Sequence, residues 1–289
     1  MFLALLESLR PKQWTKNILL FAGIIFSQSL LCWKLILNVF LAFIVFSFVS
    51  GCLYLLNDLM DIEQDQRHPV KRRRPLASGR LGKTAAFTSF FVGMPIMVLA
   101  AFLLSSGFGY LIIFYILLVL GYSLFLKNIV ILDVMIIAMG FVLRAIAGAV
   151  VIDVSISSWL LVCTIFLSLF LALNKRRHEI SLLGANARSH RSNLSNYSIP
   201  LIDLLISIVA SGVLMSYALY TTSPTTIEKF GSRGLVITLP FVIYGVFRYL
   251  YLVHQFGAGG SPEEVLINDK GIIINVILYV LCAGCIIYL

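Results

Sequence analysis

Three aspartates and an asparagine fall within one nine-residue stretch: Asn57, Asp58, Asp61 and Asp65. Asn57 and Asp61 are four apart, Asp58 and Asp61 three, and Asp61 and Asp65 four, so on one continuous helix they stack on a single face. Carboxylates at that spacing repel one another unless a cation neutralises them. Hard cations such as Mg²⁺ take oxygen ligands and are usually shared with substrate phosphates. The pattern therefore predicts a Mg²⁺ site on Asp58, Asp61 and Asp65, with Asn57 beside it. A solvated helix end is the plainer reading. Charges that only orient a membrane protein, however, should be basic on the side where this stretch falls, not acidic.

A basic run, Lys71-Arg72-Arg73-Arg74, follows directly, with Arg67-His68-Pro69 before it and Pro75-Leu76-Ala77-Ser78-Gly79 after it. Alone, such a run reads equally as an anchor on anionic lipid or as a clamp on phosphate oxygens. Next to an acidic cation site the clamp is favoured, which gives Arg67, Lys71 and Arg74 to substrate phosphates. His68, His178, His190 and His254 have no metal-ligand spacing, and no Ser/His/Asp arrangement, P-loop or dinucleotide fingerprint occurs. Cys282 and Cys285 have CxxC form, but no second cluster completes a metal site. They read as inert packing in the last apolar run.

The run from Asn57 to Gly79 resembles the UbiA-type polyprenyl transferase superfamily. The N-terminal Leu9-Arg10-Pro11-Lys12-Gln13-Trp14-Thr15-Lys16-Asn17 is similar more specifically to its decaprenyl-phosphate phosphoribosyltransferase branch. Gly140 to Gly148 around Arg144, Leu173 to Glu179, and Pro262-Glu263-Glu264-Val265-Leu266 resemble that branch too, so the likeness covers nearly the whole chain. It implies a nine-helix membrane bundle that binds a diphosphate through Mg²⁺ on Asp-rich helix ends. Members that prenylate aromatic acceptors carry a second Asp-rich motif after the sixth span. Here that position reads Lys175-Arg176-Arg177-His178-Glu179, one carboxylate among four groups that can be cationic. Such a set suits phosphate oxygens directly, without a second metal. The branch implies phosphoribosyl pyrophosphate as donor and a polyprenyl phosphate as acceptor. Lys16, Tyr122, Lys175, Arg176, Arg177 and Glu179 join the expected substrate site.

Arg144 falls inside an apolar span, where an Arg costs several kcal/mol and usually faces the bundle interior. It is expected either to act on the lipid phosphate or to serve as internal structure. Gly140 and Gly148 lie on its face, where small residues permit close helix approach. Asp133, about three turns earlier on the same side, is placed to orient it. Tyr122 and Lys127, ending the fourth span, resemble a Tyr and Lys at the catalytic face of the superfamily, although Lys127 suits a boundary charge equally.

The elements that must position these residues are set by composition. Of 289 residues, 60% are hydrophobic and 12% charged, with mean hydropathy +0.98. A soluble domain carries roughly 25% charged residues, so lipid is the main solvent. Runs lacking charge predict nine spans, near 17–33, 35–56, 84–105, 110–126, 133–152, 154–174, 199–222, 234–253 and 271–289. Ser105-Ser106-Gly107 and Asp153 with its following serines supply the breaks. Eighteen Lys and Arg fall in alternate gaps on one side and three on the other, with Arg144 inside a span. This asymmetry puts the N-terminus and the large basic segments in the cytosol and the C-terminus outside. It also explains the net charge of +9 without nucleic acid as a partner.

The fold class expected is all-α: a single polytopic membrane domain over 1–289, lying in the plasma membrane with its active site facing the cytosol. The expected reaction is Mg²⁺-dependent transfer of 5-phosphoribosyl to a polyprenyl phosphate, with Asp58, Asp61, Lys127 and Arg144 as the catalytic set. Membrane lipid surrounds the chain, and a homo-oligomer is allowed by the residues. A prenyltransferase using a polyprenyl diphosphate shares the first motif but lacks the second. A transporter or lipid-binding protein would place ionisable groups near the bilayer midplane, whereas these carboxylates gather at one rim.

Overall fold

The computed structural model describes residues 2–67, 71–183, 196–260, 265 and 268–288. The sequence motifs at His68-Pro69, His190 and Pro262-Glu263-Glu264 lie outside them. Every regular element among the described residues is helical: α1 (Phe2–Ser8), α2 (Ala22–Phe26), α3 (Trp33–Met60), α4 (Ile62–Arg67), α5 (Lys83–Leu104), α6 (Ser106–Leu124), α7 (Leu132–Val150), α8 (Ser158–Leu183), α9 (Ile199–Thr222), α10 (Pro224–Phe230), α11 (Leu239–Phe256) and α12 (Lys270–Tyr288), with short 3-10 segments between. Helices are required here because lipid offers no hydrogen bonds, so each segment must satisfy its own backbone. Large apolar side chains such as Leu103, Leu117 and Phe247 stay exposed, as a lipid-facing surface demands.

Eight helices among the described residues are long and apolar enough to cross a membrane, and their limits follow the expected spans closely. The remaining expected span, 17–33, has a different construction. Pro11–Phe21 is an 11-residue 3-10 helix, and the five-residue α2 follows it directly. A 3-10 helix rises about 2.0 Å per residue against 1.5 Å in an α-helix, so the helical part inside the expected bounds, 17–26, reaches about 18 Å, short of the roughly 30 Å hydrocarbon core. Gln28, in the left-handed region at φ 59°, ends it.

The chain forms two compact units. The first comprises 1–124 and 143–155. Its core gathers Leu20, Ile24, Val39, Phe46, Phe108 and Ile112. Gly148 lets the 3-10 segment lie directly on α7: a Cβ there would come within 1.8 Å of the Leu20 carbonyl oxygen. No hydrophobic force separates lipid tails from Leu side chains, so such close backbone packing carries much of the association. The second unit comprises 125–142 and 156–289. There α8 and α9 pack intimately, with Gly212 against the Phe166 ring, over a core of Phe170, Ile202, Ile206, Tyr249 and Val253.

Candidate functional site

In the first unit α3 carries Asn57 and Asp58 out of the apolar core and stops at Met60. Asp61 caps it at φ −101° and ψ 13°, and a separate short helix, α4, carries Asp65. The i→i−4 backbone bonds run on across this kink, from the Asp61 N–H to Asn57 at 3.0 Å and from the Asp65 N–H to Asp61 at 2.8 Å. Asn57 Nδ2 donates to Asp61 at 3.2 Å, the i, i+4 contact of one helix face. Asp58 and Asp65 are both nearly fully buried. Arg74 joins them: its Nη1 donates to Asp58 Oδ1 at 3.0 Å and to Asp65 Oδ2 at 2.6 Å.

A second guanidinium, that of Arg10, also pairs with Asp58 and lies over the Tyr54 ring at 4.7 Å from its centroid. Two buried carboxylates would be prohibitively costly unpaired; two arginines neutralise them. Lys71 and Arg67 stand exposed nearby in sequence, and Lys16 is half-buried in the 3-10 segment. Arg80 makes a bidentate pair with Glu7, at 2.7 and 2.9 Å, which holds the Glu7 carboxyl below its usual range.

Among the described residues no three His, Cys, Asp or Glu side chains stand together as a ready metal site. The Asp58–Asp65 pair nevertheless fits one hard cation, because an oxygen of each already converges on a single positively charged nitrogen. Mg²⁺ keeps waters and substrate phosphate oxygens in its shell when only one or two carboxylates hold it.

Arg144 belongs to a separate buried network of the same unit. It is 6% exposed; its Nε donates to Asn17 Oδ1 at 2.7 Å and its Nη2 to Tyr115 Oη at 2.8 Å. Asn17 donates onward to Ser47 Oγ at 3.0 Å, and the guanidinium lies over the Phe46 and Tyr115 rings. Of the two readings of Arg144, this setting favours internal structure, locking the 3-10 segment to α3, α6 and α7.

In the second unit Asp133, the residue expected to orient Arg144, is fully buried and uses both oxygens elsewhere. Arg176 Nε donates to its Oδ2 and Tyr197 Oη to its Oδ1, each at 2.8 Å. Arg176 Nη1 also donates to Glu179, and Arg177 Nε donates to Asp203 Oδ1 at 2.6 Å. Arg176 and Arg177 thus hold carboxylates, and Lys175 is exposed.

Tyr197 accepts the Ile131 backbone N–H at 2.6 Å, and Ile131 stands in the left-handed region at φ 71°. That conformation is costly for a β-branched residue and persists only where surroundings over-determine it. Burial, first, and the neighbouring Asp133 push the Tyr197 phenol up to about 12. Lys127 is half-buried on the 3-10 turn Leu126–Asn128 just upstream, and Tyr122 is half-buried near the end of α6.

Sequence reasoning treated Arg10 as a topology charge and missed Tyr197 and Asp203. Asp203 gave the one available signal, a carboxylate inside an apolar span, which demands a partner.

The profile of the UbiA prenyltransferase family matches residues 17–258. The decaprenyl-phosphate phosphoribosyltransferase of Corynebacterium glutamicum is 33% identical over 300 residues, covering 99% of this chain and 87% of that protein. Its counterpart in Mycolicibacterium smegmatis is 29% identical over 299 residues, covering 98% and 92%. Among solved structures, a UbiA homolog from Archaeoglobus fulgidus bound to GPP and Mg²⁺ superposes with a TM-score of 0.72 at 17% identity, covering 99% of this chain and 100% of that one. At that identity the likeness speaks to the fold alone. With the match extending over most of its length, this chain belongs to the UbiA prenyltransferase family.

Proposed function

We propose that the protein transfers the 5-phosphoribosyl group of phosphoribosyl pyrophosphate to a polyprenyl phosphate, releasing pyrophosphate. The observation that carries this reading is the second polar cluster. Where a prenyl-diphosphate enzyme of the family needs further aspartates, this chain places Lys175 beside two arginines locked by Asp133, Glu179 and Asp203. Relatives named for this reaction match essentially the whole chain.

Asp58 and Asp65 are the residues assigned to Mg²⁺, which when bound supplies charge neutralisation and polarisation of the donor's diphosphate. Arg74, Lys71 and Arg67 are assigned to donor phosphate oxygens, with bidentate guanidinium geometry suiting them. In the second unit, taken by itself, Lys175 is the residue assigned to phosphate, while Arg176 and Arg177 hold the end of α8. The C1–O bond to pyrophosphate breaks as a lipid phosphate oxygen forms the new C1–O bond from the opposite face, inverting the anomeric centre. That oxygen is already ionised at neutral pH, so no general base is needed. The charge asymmetry of the loops supports a cytosolic position for the acidic cluster, where a soluble polyanionic donor is available.

Incubation of the purified protein with radiolabelled phosphoribosyl pyrophosphate, Mg²⁺ and a polyprenyl phosphate should move label into the lipid extract. Label that stays in the aqueous phase, with a polyprenyl diphosphate consumed against an aromatic acceptor instead, would make the protein a conventional prenyltransferase.

A further inference from the structure

The acidic pair of the first unit is bound by two arginines of equal charge, held in very different ways. Arg10 is fixed from three sides. Its backbone is left-handed, at φ 52° and ψ 64°, immediately before Pro11. Non-glycine residues seldom adopt that conformation, and proline restricts its predecessor further. Leu9 packs on Gly51 of α3, the Arg10 guanidinium lies over Tyr54, and the same guanidinium pairs with Asp58. Gly51, Tyr54 and Asp58 fall at i, i+3 and i+7, so the N-terminal arm docks along one stripe of α3. Trp14 Nε1 donates back to the Leu9 carbonyl at 3.1 Å and closes the turn.

Arg74 is held through its backbone, its N–H donating to the Lys71 carbonyl and its carbonyl accepting from the Ser78 N–H, each at 2.9 Å, but no ring stacks on its guanidinium among the described contacts. It leaves a three-residue 3-10 turn, Lys71–Arg73, and reaches both carboxylates through one nitrogen, Nη1. That nitrogen stands at the point where a bridging cation would sit.

We propose that Arg74 is a place-holder for the divalent cation, evicted when the cation binds, and that Arg10 is a positioning residue that keeps Asp58 aimed at the same point throughout. This rests on the assignment of Asp58 and Asp65 to Mg²⁺. Binding the cation then releases the Arg74 guanidinium at the moment a phosphate needs it. The exchange takes the site from neutral to one net positive charge, which the donor's diphosphate then meets, without reorganising α3.

The test uses Mn²⁺ alone, with neither donor nor lipid, titrated against the detergent-solubilised full chain and followed by electron paramagnetic resonance. Arg74→Gln should tighten Mn²⁺ binding about tenfold, because a charge-assisted competitor is gone. Arg10→Gln should weaken it, although it removes a positive charge, and Arg10→Lys should recover part of the loss. Tightening by both variants would mean that each arginine acts only as a charge, and would overturn the role given to Arg10.

Phenylglyoxal modification of the wild-type chain, read by peptide mass spectrometry, gives a second arm that needs no variant. Mn²⁺ should accelerate modification of Arg74 severalfold and leave Arg10 unchanged. Mn²⁺ that binds without accelerating Arg74 overturns this inference alone. A wild-type chain that binds no Mn²⁺ overturns the metal assignment as well.

Discussion

Replacing Arg176 by Gln separates the two roles available to the second basic motif. Its side chain is 3% exposed and that of Asp133 is fully buried, so the substitution leaves a carboxylate in the interior with Tyr197 as its remaining donor. Breaking a buried ion pair from one side costs about 3–5 kcal/mol, on the order of 10 °C in unfolding temperature for a chain of this size. Asp133→Asn should lose less, because the amide still pairs with Tyr197 and leaves only a guanidinium that Glu179 can take. The double variant should then be more stable than the sum of the two losses, by about 0.5–3 kcal/mol of coupling. Thermal unfolding of the detergent-solubilised protein measures all four corners of the cycle, and donor KM should stay within about threefold in the folded fraction. If Arg176→Gln unfolds within 1 °C of wild type while donor KM rises tenfold or more, Arg176 is a substrate ligand and the positional reasoning fails.

Lys175→Ala should remove a charge-assisted contact worth about 1.5–3 kcal/mol, raising donor KM ten- to hundredfold while lipid KM hardly moves. Steady-state kinetics with each substrate varied in turn distinguish this from a topology anchor, which would move neither. Asp58→Asn and Asp65→Asn should each lower turnover by orders of magnitude, and Asp61→Asn much less, since Asp61 accepts from Asn57 while Arg74 bridges the other two. Equal losses in all three, measured at saturating Mg²⁺, would restore the three-carboxylate site. The Asp269 carboxyl is held below its ordinary 3.8 chiefly by hydrogen bonds from Arg248. A depressed folded value gives stability that is present above pH 4 and lost as pH falls through the folded value, so the gap in unfolding temperature between wild type and Asp269→Asn should close only below pH 4. Reporter fusions should place the segments at 71–83 and 175–183 in the cytosol and the end of α12 outside; a cytosolic end of α12 would sink the count of nine spans.

The apolar runs by themselves determined that the chain is a helical membrane protein, and located eight of its spans to within a few residues, because the preference of about 20 consecutive side chains for lipid is local and additive. The acidic motif, the basic run after it and the family were equally legible, since each is a matter of residue type at short spacing. Packing decided which groups meet. Of the three carboxylates, Asp58 and Asp65 share the Arg74 guanidinium, while Asp61 accepts from Asn57. Asp133 lies 43 positions from Arg176 and Arg10 lies 48 from Asp58, separations at which no periodicity reports a contact. The stretch 17–33 reads as an ordinary span, whereas Pro11–Phe21 winds as a 3-10 helix. Close contact with Gly148 and the buried tie from Asn17 to Arg144 accompany its tighter 3-10 winding. Hydropathy selects the solvent of a segment, whereas the partner of a buried charge is selected by whichever distant helix the folded core brings within 3 Å of it, and only the tertiary structure holds that information.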